Sequence, residues 1–75
     1  GKTFVVTGDV HVFANRRELT EKIDSLGGHA AGSVSKNTTY LINNDILSQS
    51  SKNKKAKELG IPIITEEEFI SLFLQ

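Results

Sequence analysis

The run Thr3-Phe4-Val5-Val6, ending in Thr7-Gly8, constrains this chain more than any other feature. It is too short for a helix and shows no polar–apolar alternation. It therefore predicts a strand buried on both faces, which in a small domain means the interior of a parallel sheet. Thr7-Gly8 then falls at the strand end, in a loop leading towards a helix. A chain of 75 residues makes one domain, residues 1–75, near the lower limit for a single core without disulfides or metal. Opening directly on a strand, it reads as a module cut from a longer protein. The absence of cysteine excludes a disulfide framework, a thiolate metal site and a cysteine nucleophile. No segment has the length or pattern of a membrane span or a signal peptide, which points to the cytoplasm or nucleus and away from a membrane partner. The formal net charge is zero, so any attraction to nucleic acid must come from local clustering.

Along the chain, Asn15 suits a helix N-cap, with Glu18 placed for a reciprocal contact. Leu19, Ile23 and Leu26 follow at helical spacing, and Gly27-Gly28 ends the helix. His29 to Val34 reads as a weak strand of small residues suited to an edge, and Ser35 to Thr38 as a turn. Thr39 to Asn43 reads as a second buried strand, followed by the breaker cluster Asn43-Asn44-Asp45 and a polar loop. Ser51 to Gly60 reads as a lysine-rich helix capped by Ser50 or Ser51. Ile61 to Ile64 is a last strand, placed at a sheet edge by Pro62. Thr65 and Glu68 form a capping box, and Phe69, Leu72 and Phe73 give the final helix its apolar stripe.

This alternation implies a parallel α/β sheet with helices on both faces. The second and third strands are joined by only Ser35 to Thr38, too short for the crossover that adjacent parallel strands need. Placing the first strand between them gives the order 2-1-3-4. The winding direction changes between the first and third strands, and ligands of open α/β sheets bind beyond the carboxyl ends of strands at such a switch. That locates a candidate site between Thr7-Gly8 and the segment after Asn43.

Helix N-termini favour acidic residues. The last helix complies, with Glu66-Glu67-Glu68, whereas the first opens with Arg16-Arg17 and the second with Lys52, Lys54, Lys55 and Lys57. An anion bound near both starts would make these cations favourable and would accept backbone N–H bonds. The competing explanation is a solvated helix with snorkelling lysines. His11 and His29 stand alone, Asp9, Asp24 and Asp45 are scattered, and neither a Gly-x-Gly-x-x-Gly nor a P-loop pattern occurs. These patterns give no metal site and no catalytic apparatus. Phe4 and Tyr40 are expected in the core rather than on a base-stacking platform.

In combination, the strand ending in Thr-Gly, the helix ending in Gly27-Gly28, the Gly32-to-Ile42 segment, Lys52 to Gly60 and Ile63-Ile64-Thr65-Glu66-Glu67-Glu68-Phe69 resemble a BRCT domain over nearly the whole chain. The pattern is most in the manner of the BRCT domain at the C-terminus of bacterial NAD-dependent DNA ligases; that of the replication factor C large subunit is also similar. The resemblance implies a four-stranded parallel sheet, order 2-1-3-4, with two helices on one face and one on the other. It implies a non-catalytic module of a replication or repair protein that binds DNA, through backbone phosphates, at a nick or 5′-phosphate end. The implied pocket comprises Thr7 through its hydroxyl, Gly8 through its N–H, Lys52 or Lys55 early in the second helix, and Arg16. No cofactor is implied for the domain, with NAD used by the parent if that is a ligase, nucleoid-associated in a bacterium. Many relatives carry tryptophan where this chain has Phe69, and phosphopeptide binding generally needs two tandem repeats, so a single repeat favours DNA. The alternative is a module that docks onto another domain or a phosphorylated partner, through an exposed patch around Ile70 and Leu74.

Overall fold

The computed structural model describes residues 2–74. Thr3–Val6 forms β1, Arg16–Ser25 α1, His29–Ala31 β2, Tyr40–Ile42 β3, Ser51–Leu59 α2, Ile63–Ile64 β4 and Glu66–Phe73 α3. The strands make one sheet of order β2-β1-β3-β4, and every pairing is parallel. In register, Phe4 lies between Ala30 and Tyr40, and Val5 between Ala31 and Leu41. The sheet thus has the order that the short 35–38 connection requires.

The pleat of β1 sorts the helices. Phe4 and Val6 point to one face, where they join Leu19 and Ile23 of α1 and Phe69 of α3. Val5 points to the other, where it lies beside Leu41 of β3 and is covered by Ala56 of α2. Two helices therefore lie on one face and one on the other. The larger layer is aromatic: the Phe4 ring stacks on Tyr40 at 5.7 Å and meets Phe69 and Phe73 edge-on at 5.5 and 5.4 Å. Each such pair adds about 0.5–1.5 kcal/mol to the area that it buries. Phe4 is core, as expected, and Tyr40 is half-buried against it.

Local chemistry sets the helix ends. The Asn15 side chain accepts from the Glu18 N–H at 2.9 Å, although the reciprocal Glu18 contact does not form among the described residues. In α3 both halves of the capping box are made, by Thr65 and Glu68. Ser50, rather than Ser51, caps α2. Gly27 and Gly60 follow α1 and α2 with left-handed φ of 82° and 71°, the conformation that glycine adopts at least cost.

Several expected details differ. β2 stops at Ala31 rather than Val34, and β4 begins at Ile63, with Pro62 just before it contributing its carbonyl to Leu41 N–H. Leu26, expected on the buried face of α1, is 45% exposed because it is the C-cap, where the backbone has left helical geometry. Leu72 is 54% exposed. The buried face of α3 centres on Glu66, Phe69 and Phe73, which leaves Leu72 on the far side, while Ile70 and Leu74 pack against the core.

Candidate functional site

The carboxyl end of β1 is held by backbone and by a buried amide. Thr7 N–H donates to Ile42 O at 3.0 Å, extending the ladder one residue beyond the strand. Gly8 then turns away with φ of 76°, and a β-carbon there would lie 2.7 Å from Asn43 Oδ1. Both the backbone conformation and this close approach demand glycine. Neither the Thr7 hydroxyl nor the Gly8 N–H donates to another described residue, which leaves both available to a ligand.

Asn43 ties this turn to α2. Its Nδ2 donates to Asn53 Oδ1 at 2.7 Å and its Oδ1 accepts from Asp45 N–H at 2.9 Å. Asn53 is fully buried, and its own Nδ2 reaches the carbonyls of Asp45 and Ile46 at 3.4 and 3.3 Å. The first turn of α2, and with it Lys52, is thereby locked to the end of β3.

On the other side, the loop between β1 and α1 rests on Glu66. This carboxylate is 1% exposed and accepts from the N–H groups of His11, Val12 and Phe13 and from Asn44 Nδ2. Asn44 closes the network, donating to Asp9 O at 3.0 Å and accepting from Glu66 N–H at 2.9 Å. Burial pushes the Glu66 pKa up, but the hydrogen bonds from Phe13, His11, Asn44 and Val12 together outweigh it, and the carboxyl is held below its ordinary value.

The residues singled out in the sequence are distributed over more than one cleft. Thr7 and Gly8 line a cleft of about 220 Å³ with Asp9, His11, Asn43, Asp45, Ser48 and Ser50. Arg16 and Lys52 line a neighbouring cleft of about 330 Å³ with Ala30 and Ala31 of β2 and Gly32 just beyond its end. Arg16 joins the two, its Nη2 donating to Gly8 O at 3.0 Å. Lys55 faces elsewhere, in a groove with Val34, Ser35, Lys36 and Leu59. The structure thus groups Thr7 with Gly8 and Arg16 with Lys52, links the two pairs through Arg16, and places Lys55 apart. The cations converge on the β2 side of β1, whereas the acidic side chains Asp9 and Asp45 lie on the β3 side.

Sequence reading put Asn43 at the end of a strand and the start of a breaker cluster, gave Asn53 no role, and took Glu66 for one of three dipole-matched acids. A signal was present: Asn53 and Glu66 stand three residues before the buried Ala56 and Phe69, and so on the same helix faces. Among the described residues, no three His, Asp or Glu side chains are grouped to hold a metal ion, and no helix is long and apolar enough to cross a membrane.

Residues 1–73 match the family model of the BRCA1 C Terminus (BRCT) domain. The chain belongs to the BRCT family. The curated proteins similar to this BRCT domain include the DNA ligase of Lachnoclostridium phytofermentans, 62% identical over 72 residues that make up 96% of this chain and 11% of the ligase. The DNA ligase of Ruminiclostridium cellulolyticum is 58% identical over 67 residues, 89% of this chain and 10% of the ligase. That of Symbiobacterium thermophilum is 48% identical over 75 residues, 100% of this chain and 11% of the ligase. This BRCT domain therefore spans about a tenth of the length of the relatives it matches.

Proposed function

We propose that this BRCT domain is a non-catalytic module of a bacterial NAD-dependent DNA ligase, acting in the cytoplasm, that holds a phosphate of nicked or ended DNA. One observation carries the proposal: Arg16 and Lys52, on helices from opposite faces of the sheet, line one cleft, which Arg16 links to the Thr7–Gly8 turn through its bond to Gly8 O. A phosphate there would gain charge-assisted hydrogen bonds from both cations. The placement supports Lys52 over Lys55 as the lysine ligand. That the relatives are DNA ligases supports DNA as the source of the phosphate. The domain's own residues do not fit NAD. Its β1–α1 loop has Gly8 as the sole glycine, and Glu66 occupies the N–H groups of residues 11–13 that would otherwise cradle a pyrophosphate. NAD chemistry is accordingly assigned to the parent outside this chain.

A titration of fluorescent duplex carrying or lacking a 5′-phosphate tests the reading. The phosphorylated duplex should bind more tightly, and Lys52→Ala should weaken it about tenfold, the scale of one lost charge-assisted hydrogen bond. Equal affinity for the two duplexes, unmoved by Lys52→Ala, removes the pocket.

The protein-docking alternative has one supporting feature, at the opposite end of the sheet. There the exposed Leu26 borders a cleft of about 300 Å³ with Phe4 and Phe73. Ile70 and Leu74 are half-buried against the core.

A further inference from the structure

Charge is segregated in this molecule although its total is zero. Helix α2 and the 35–38 turn hold five of the nine basic residues and one of the nine acidic ones, Glu58. Lys52 belongs to the cleft with Arg16, but Lys36 and Lys55 line a separate groove of about 290 Å³ with Val34, Ser35 and Leu59. Among the described residues the one ion pair joins Arg17 to Glu21, so no described acid is paired with either lysine. The groove is also preformed. Its floor is apolar: Val34 packs on the layer of Val5, Leu41 and Ala56, and Leu59, one turn beyond Lys55 on the same side of α2, is 39% exposed. Its wall on the turn side is fixed, because Ser35 N–H donates to Thr38 Oγ1 and Thr38 N–H to Ser35 O, both at 3.0 Å, and Thr38 is buried. A groove already in place costs little ordering when it is filled.

Cations beside an apolar floor select a ligand that is acidic and apolar at once. The backbone of a DNA strand satisfies the charges and leaves Val34 and Leu59 in water. A neutral apolar segment covers the floor and leaves the lysines without counter-charges. We infer that this groove docks an acidic segment of a partner protein, with an aliphatic or aromatic side chain entering between Val34 and Leu59 and carboxylates meeting Lys36 and Lys55. Complementary charge of this kind sets which partner is accepted, while the buried apolar side chain holds it. The Leu26 cleft, with Lys2 as its one charged side chain, gives no comparable basis for naming an occupant. The groove is separate from the phosphate cleft, and its role does not depend on the phosphate reading.

The probes are blocked peptides Asp-Glu-X-X-Glu-Asp with leucine, isoleucine or phenylalanine at X, titrated into the isotope-labelled domain and followed by amide chemical shifts. At least one should shift residues 34–36, Lys55 and Leu59 in a saturable manner. Replacing its acids by their amides, or X by serine, should each weaken binding about tenfold, as should combining Lys36→Glu with Lys55→Glu in the protein. Both lysines are exposed, so the double variant keeps the fold, which the dispersion of its amide spectrum verifies. Lys52→Ala should leave the peptide affinity unchanged. No saturable shift in the groove with any of the three peptides overturns the inference. Shifts centred on Thr7, Gly8 and Lys52 overturn it too, since the peptide then acts as a simple anion in the other clefts. So does equal binding of the amide or serine peptides. If nicked duplex moves the groove signals and the charge reversals weaken duplex as much as peptide, the groove is a nucleic-acid surface and the inference falls.

Discussion

Glu66 shows how one side chain can place a loop that contains no secondary structure of its own. Three consecutive N–H groups of the β1–α1 loop converge on its two carboxylate oxygens, and Asn44 ties the same carboxylate to the end of β3. The loop so held carries Gly8 and leads into Arg16. Because these bonds keep the folded carboxyl below its ordinary value of 4.5, the stability they confer is complete above that pH. It is lost as pH falls through the folded value, since protonation removes acceptor capacity from a group facing only donors. Glu66→Gln introduces an amide that confronts those donors at any pH. Urea denaturation at pH 7 should show it less stable than wild type by about 1–3 kcal/mol, with the gap closing as pH is lowered beneath 4.5. A gap that stays constant down to pH 3 would mean that the carboxylate charge does not hold the loop.

At the scale of the element, α2 is the one whose surface and interior were hardest to tell apart from sequence. Its lysines left a solvated helix open as one explanation, yet Asn53 is as buried as Ala56 one turn later. Truncating it in Asn53→Ala strands the Asn43 amide and the two carbonyls that Asn53 serves, an expected loss of about 2–3 kcal/mol. Lys54→Ala, next to it on the exposed side, should stay within about 0.5 kcal/mol of wild type. Comparable losses for the two variants would show that the buried amide network contributes nothing. The strands, by contrast, were legible because composition alone decides them: Phe4-Val5-Val6 and Tyr40-Leu41-Ile42 have no polar face, and the 35–38 connection is too short for adjacent parallel strands. Glycine and the caps marked the helix ends for the same reason, since each acts through local backbone chemistry. Leu26 and Leu72 were misplaced because periodicity counts residues without knowing where a helix ends or which direction its neighbours occupy. The candidate site was read from sequence as a location at the end of β1, where the structure has clefts. Its division into a cationic and an acidic cleft was not, because that depends on which flank of β1 each helix start reaches.

For the molecule as a whole, a net charge of zero means that no global field draws it to DNA, so the proposed binding rests on the few cations of the Arg16–Lys52 cleft. This makes the salt dependence of binding a count of contacts. Each phosphate neutralised releases condensed counterions and contributes about −0.9 to the slope of log K against log salt. Arg16 and Lys52 acting on phosphate should give a slope of about −2, because the acids Asp9 and Asp45 on the far flank discourage further phosphates. Lys52→Ala and Arg16→Ala should each make the slope shallower by about 1, and across duplexes of different sequence the loss should be uniform, since phosphate contacts carry no base information. Lys55→Ala, whose side chain occupies the groove with Val34 and Leu59, should leave the slope unchanged. Titrations from low to near-physiological salt measure all four proteins on one scale. A wild-type slope several units steeper, reduced equally by Lys55→Ala and Lys52→Ala, would replace the localised cleft with a diffuse lysine surface along α2.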